Sequence, residues 1–202
     1  MKLVRAKTVM LAMALPLLLL GTGCKSSPKF NGELVEPAQP APELSGVNWD
    51  GKRFLLSEHR GKVTVIFFGY TYCPDVCPFT LAKMKQVYRE LGDRAKDVEV
   101  VFVSVDPKRD TVEKLSRYVP NFDRRFYGLR LEPKELDAAT EGFGLSVQYG
   151  QPKHGLETDS YYYVDHTGTF FVIDREGRLR LKFAPNSTVE QMVPDLEKLL
   201  AV

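Results

Sequence analysis

The sequence predicts an α/β fold: a three-layer sandwich around a mixed central sheet, with an N-terminal hairpin extension. Three observations carry this. Two continuous β-branched and aromatic runs, "VTVIFFGY" (Val63 to Tyr70) and "VEVVFVSVD" (Val98 to Asp106), have the composition of strands buried on both faces. A helical pattern, "FTLAKMKQVYRELG", lies between them, so a right-handed crossover makes the two strands parallel neighbours. A hairpin pattern and a helix close the chain and add antiparallel strands to the parallel pair.

In chain order, "VNWDGKRFLLSEHRGK" reads as a short hairpin turning at Asp50-Gly51. The helix after the first buried run opens at Pro78, whose fixed φ suits a first helical position. Its apolar stripe, Phe79, Leu81, Met84, Val87, Tyr88 and Leu91, is predicted to face the core. "TVEKLSRYV" is a helix starting after Asp110, a candidate N-cap. "YGLRL" is a short strand, and "EPKELDAATEGFG" a helix stopping at Gly142 or Gly144. After a polar loop, "GTFFVIDREGRLRLKF" forms a hairpin turning at Glu176-Gly177. "TVEQMVPDLEKLLAV" is the closing helix, which Pro194 makes start late or kink.

The 202 residues suffice for one domain, residues 46–202, plus an N-terminal extension. A domain of this size buries about 70% of its unfolded surface and needs no disulfide to fold. The net charge of +2 gives no nucleic-acid footprint, and Arg124-Arg125 reads as solvated surface. Residues 1–24 have the layout of a secretory signal: Lys2, Arg5 and Lys7, an apolar run from Val9 to Leu20, then Gly21, Thr22, Gly23 and Cys24. Cys24 stands where a bacterial lipoprotein carries its acylated cysteine, although Gly21 replaces the usual leucine, with Leu20 one place earlier. An ordinary cleaved signal, or an uncleaved anchor, would export the domain equally. Residues 25–45, with Pro28, Pro37, Pro40 and Pro42, read as a tether that reaches up to about 60 Å when extended.

If Cys24 carries lipid, the exported domain keeps only Cys73 and Cys77, in "GYTYCPDVCP". Outside the cytoplasm such a pair oxidises unless it is reduced or metallated. A structural disulfide closing so short a loop would remove little chain entropy. The pair lies beyond the carboxyl end of a central strand and at a helix N-terminus, where open α/β sheets place ligands. There the helix dipole is expected to lower both thiol pKa values, that of Cys77 more. A zinc or iron–sulfur site would call for four closed ligands, which the domain's two cysteines do not provide. Three histidines could complete a site: His59 in a loop and His154 in "QPKHGLETDS" read as surface, while His166 follows the strand-like "YYYVD".

The strings "GYTYCPDVCP", "VFVSVDPKRDT" and "YYYVDHTGTFFVIDREGRL", in that order, resemble the Sco/SenC family over nearly the whole domain. The resemblance implies a thioredoxin-like fold and a copper protein that helps assemble the CuA centre of cytochrome c oxidase. It implies three copper ligands, which fall on Cys73, Cys77 and His166. Soft thiolates with an imidazole suit copper, Cu(I) especially. Two thiolates make the Cu(II) site neutral and the Cu(I) site singly negative, with one copper per domain. Asp75, Asp106 and Asp165 are candidates for supporting hydrogen bonds around the site; Tyr72 is not counted as a ligand. The implied partners are subunit II of the oxidase, another periplasmic copper carrier, a thioredoxin-like reductant and the bacterial envelope membrane, but no nucleic acid. The same dithiol would also serve a thiol–disulfide oxidoreductase that reduces the CuA cysteines or acts in redox defence. That role leaves His166 without work. The spacing argues against a peroxiredoxin, whose threonine stands three residues before the reactive cysteine, whereas Thr71 is two before Cys73.

Overall fold

A computed structural model describes residues 29–74, 76–150 and 162–201. Ten strands and four α-helices follow one another within these residues: β1 (Glu33–Pro40), β2 (Ser45–Asn48), β3 (Arg53–Leu55), β4 (Val63–Gly69), α1 (Val76–Leu91), β5 (Val98–Ser104), α2 (Val112–Tyr118), β6 (Tyr127–Arg130), α3 (Pro133–Phe143), β7 (Val147–Tyr149), β8 (Val164–His166), β9 (Phe170–Ile173), β10 (Arg178–Phe183) and α4 (Val189–Leu200). Eight strands form one sheet in the order β1-β10-β9-β4-β5-β6-β2-β3, and β7 and β8 form a separate hairpin. β4 and β6 flank β5 in parallel, while β9 pairs antiparallel with β4, so the sheet is mixed as the sequence predicts.

The buried runs are strands because every residue of β4 is buried and its side chains alternate between two cores. Val63, Val65 and Phe67 join Leu81, Met84, Leu115 and Leu196 on the face covered by α1, α2 and α4. Ile66 and Phe68 join Leu136, Ala139 and Phe143 of α3 on the other face, together with Tyr70 and Cys77. The three layers follow from this alternation. The turns behave as their residues dictate: Gly51 and Gly177 take positive φ in the two hairpins, and Gly144 ends α3 in the left-handed conformation.

Five expectations need correction. Within the predicted tether, Glu33–Pro40 is an edge strand paired with β10, and Leu44 is fully buried. Its prolines are tolerated because an edge strand leaves one row of N–H groups without a sheet partner. Phe79 does not belong to the core stripe of α1; it is 71% exposed. α1 starts at Val76, two residues before Pro78, and at about 100° per residue Phe79 lies across the helix from the buried Cys77, Met84 and Tyr88. Asp110 is not the cap of α2: the Thr111 side chain accepts from the Lys114 N–H instead. His59 is not a free surface group. It stacks on Phe54 with ring centroids 4.2 Å apart and bonds Glu99 through Nδ1 at 2.9 Å. α4 runs through Pro194 and opens on a capping box at Thr188 and Gln191.

Candidate metal centre

Three elements meet at the carboxyl end of the parallel pair. β4 ends at Gly69 and β5 at Ser104, and the Val105 N–H donates to the Gly69 carbonyl at 2.8 Å, so both chains leave the sheet at one level. From β4 the chain turns tightly, with the Cys73 N–H donating to the Tyr70 carbonyl at 3.2 Å, and enters α1. Cys73 is half-buried, Cys77 is buried, and no disulfide joins them.

The two sulfurs are brought together by the first turn of α1. The Cys77 N–H, one of the helix donors that lack an intrahelical partner, points at Cys73 Sγ at 3.5 Å. Cys77 Sγ is seated against the end of β4: a Cβ placed on Gly69 would stand 2.8 Å from that sulfur and 2.6 Å from the Phe102 ring. A glycine closing an otherwise β-branched run is the sequence signal for this close approach.

The Cys77 thiol is raised, not lowered, from its ordinary range. Its interaction with the Cys73 sulfur is the largest cause, burial the second. The helix dipole is worth at most about 2 kcal/mol, and removing a thiolate from water outweighs it. The helix N–H group serves Cys73 instead.

His166 closes β8, where it pairs with Val147. Its Nδ1 lies 3.2 Å from the Thr167 carbonyl, and its ring meets Tyr70 edge-on at 6.1 Å between centroids. Tyr70 is buried, which raises its phenol pKa, and it lies within electrostatic reach of both thiols. One aromatic ring is therefore neighbour to the dithiol and to the imidazole. Among the described residues, no three His, Cys, Asp or Glu side chains stand close enough together to hold one metal ion. The structure brings the two cysteines together and seats His166 edge-on against Tyr70.

The acidic candidates separate. Asp106 is fully buried and accepts from Arg109 Nε and from the Tyr162 hydroxyl, the latter at 2.6 Å. Arg109 in turn lies 3.5 Å over the Tyr162 ring and donates to the Tyr162 carbonyl at 2.9 Å. Tyr149 adds a 2.6 Å bond to the Val105 carbonyl. Asp106 thus fastens the hairpin that bears His166 to the end of β5. Asp165 is exposed and lines a surface hollow with Ser146, Gln148, His166 and Thr167. Asp75, His154 and Cys24 lie outside the described residues. The residue the sequence reading misplaced is Asp110. It is fully buried and accepts from Thr71 N–H (3.0 Å), Thr71 Oγ1 (2.5 Å) and Ser104 Oγ (2.7 Å).

A mixed sheet sandwiched by helices, with a dithiol where a central strand runs into a helix, defines a thioredoxin-like domain. The sequence model of the SCO1/SenC family matches residues 35–201, and the chain belongs to that family. It is 32% identical over 147 residues to an SCO2-like protein of Rickettsia conorii, covering 73% of this chain and 70% of that protein. Among solved structures, Bradyrhizobium japonicum ScoI with copper bound is 34% identical with a TM-score of 0.71, covering 80% of this chain and 99% of that one. Apo Sco1 of Thermus thermophilus is 37% identical with a TM-score of 0.75, covering 85% and 98%.

Proposed function

We propose that this chain is a membrane-tethered copper chaperone that helps assemble the CuA centre of cytochrome c oxidase. One copper ion, as Cu(I) or Cu(II), is its cargo, and Cys73, Cys77 and His166 are the ligands. The observation that carries this is the dithiol set at the strand–helix junction with an imidazole one aromatic ring away. The copper-bound relative from Bradyrhizobium japonicum supports the choice of metal.

In this reading the Cys77 proton leaves when the metal enters, because a thiolate and not a thiol is the ligand. A raised thiol pKa keeps Cys77 protonated in the empty site. His166 reaches the sulfurs by movement of the β7–β8 hairpin or of Tyr70. Delivery is ligand exchange, with the acceptor's donors replacing these three in turn. Tethering rests on residues 1–24, with Cys24 as the lipidation site and the envelope as the location. No helix among the described residues is long and apolar enough to cross a membrane.

A second reading has its own observation. Cys73 is the more accessible sulfur, and Cys77 is buried behind it. That asymmetry suits an attacking and a resolving thiol. Cys73 would open a partner's disulfide to a mixed disulfide, and Cys77 would then release the partner's second thiol, leaving this pair oxidised. The two readings part at His166. His166→Ala should weaken Cu(II) binding at least tenfold, bleach the thiolate-to-Cu(II) absorption and leave Cys73–Cys77 disulfide formation intact. Cells carrying His166→Ala should fail to assemble CuA as completely as cells carrying Cys73→Ser. Normal assembly with His166→Ala and none with Cys73→Ser would establish the reductase instead.

A further inference from the structure

Asp110 is a buried carboxylate that the proposed chemistry does not use. Its three partners are all donors: one backbone N–H and two hydroxyls, from Thr71 and Ser104. The Ser104 hydroxyl accepts from the Asp106 N–H at 3.1 Å, so its own proton is free to point at Asp110. The Thr71 N–H can only donate and both hydroxyls can donate, so three donors are available to the ionised carboxylate, while burial raises its pKa above the ordinary range. The donors are neutral groups, so they solvate the charge without cancelling it. Thr71 stands two residues before Cys73, and the Asp110 charge is among the influences felt by Cys77.

We propose that Asp110 is a positioning residue and a fixed negative charge beneath the dithiol, tying the cysteine loop to the end of β5 and biasing bound copper toward Cu(II) over Cu(I). This rests on the copper-binding reading. The sign follows from the charge of the site. With two thiolates and an imidazole, the Cu(II) form is neutral and the Cu(I) form carries one negative charge. A buried negative charge nearby disfavours only the second. The tether matters as well as the charge, because the Thr71 bonds hold the turn from which Cys73 projects.

Asp110→Asn keeps the side chain's shape and removes its charge; Thr71→Val keeps the charge and removes one hydroxyl donor. In the full chain, copper-loaded and in detergent, Asp110→Asn should raise the Cu(I)-to-Cu(II) affinity ratio about tenfold, a shift of about 59 mV in the one-electron midpoint. Thr71→Val should shift it by less than threefold. A midpoint unchanged in Asp110→Asn, or shifted equally in both variants, overturns the proposal. A metal-free arm reads the same charge. The reduced thiols should react with neutral 4,4′-dithiodipyridine several-fold faster in Asp110→Asn than in the wild type. Equal gains in both variants would mark a loosened loop and overturn the electrostatic role, as would no gain at all. A wild type that binds no copper would refute the function proposed above, and the thiol-reactivity arm would then decide on Asp110 alone.

Discussion

Gly69→Ala tests the link between the sheet and the site most directly. The added methyl would stand 2.6 Å from Phe102 and 2.8 Å from Cys77 Sγ, where carbon contacts relax at about 3.5–4.0 Å. Neither neighbour can retreat into solvent: Phe102 is 0% and Cys77 2% exposed. Overpacking of this kind costs about 1–3 kcal/mol. The reduced entropy of the unfolded chain returns about 0.4–1 kcal/mol. The net loss is about 1–2 kcal/mol, which for a domain of this length lowers Tm by roughly 2–8 °C. Circular dichroism on heating and urea titration would measure it. Because the sulfur is one of the two clashing groups, Cys77→Ala should relieve part of the strain. The double variant should therefore be more stable than the sum of the single losses by at least about 0.5 kcal/mol. Copper affinity should fall in Gly69→Ala alone, since the sulfur that yields is a proposed ligand. A variant as stable as the wild type, or strictly additive single losses, would refute the claim that Gly69 exists to seat Cys77.

Other outcomes are expected elsewhere. Asp195→Ala should cost about 2–4 kcal/mol, because this fully buried carboxylate accepts from Asn31 N–H at 2.6 Å, Gly32 N–H at 2.9 Å and Lys198 Nζ at 2.9 Å. Hydrogen exchange should show β1 fraying first. Arg125 bonds Asp123 and holds its carboxyl below the ordinary range. A lowered folded-state pKa contributes stability above the unfolded value, and that stability is lost as pH falls through the folded one. Asp123→Asn should thus be the less stable protein at neutral pH by under about 1 kcal/mol, with the gap closing as pH drops below about 3.9. Urea midpoints across that range would show it.

Much of this molecule is legible in its sequence where one physical signal dominates. The runs at Val63 and Val98 could only be strands buried on both faces, and the helix between them forced the crossover. With those placed, Cys73 and Cys77 had to lie at the ligand-binding edge. Legibility failed where two forces compete. Pro37 and Pro40 argue against a strand until the strand is known to lie at an edge. Asp110 has the composition of a cap, and only the approach of Thr71 and Ser104 from other segments makes it a buried anchor. The Cys77 thiol sits at a helix N-terminus that should acidify it, yet its interaction with the Cys73 sulfur and its burial prevail. Phe79 is apolar but stands across α1 from Met84 and Tyr88, so its hydrophobicity misleads where its helical angle does not.

The register of β1 sets where the N-terminal segment meets the sheet. Glu33 stands level with Lys182, Lys182 with Phe171, and Phe171 with Ile66, three residues before β4 ends. β1 therefore runs antiparallel to β4, three strands or about 14 Å to one side, with Glu33 level with the middle of β4. The chain reaches β1 along α4, where the Lys29 carbonyl accepts from Lys198 Nζ and the Asn31 N–H donates to Asp195. A pull on the N-terminus would load α4 and the sheet edge before it reached the cysteine loop.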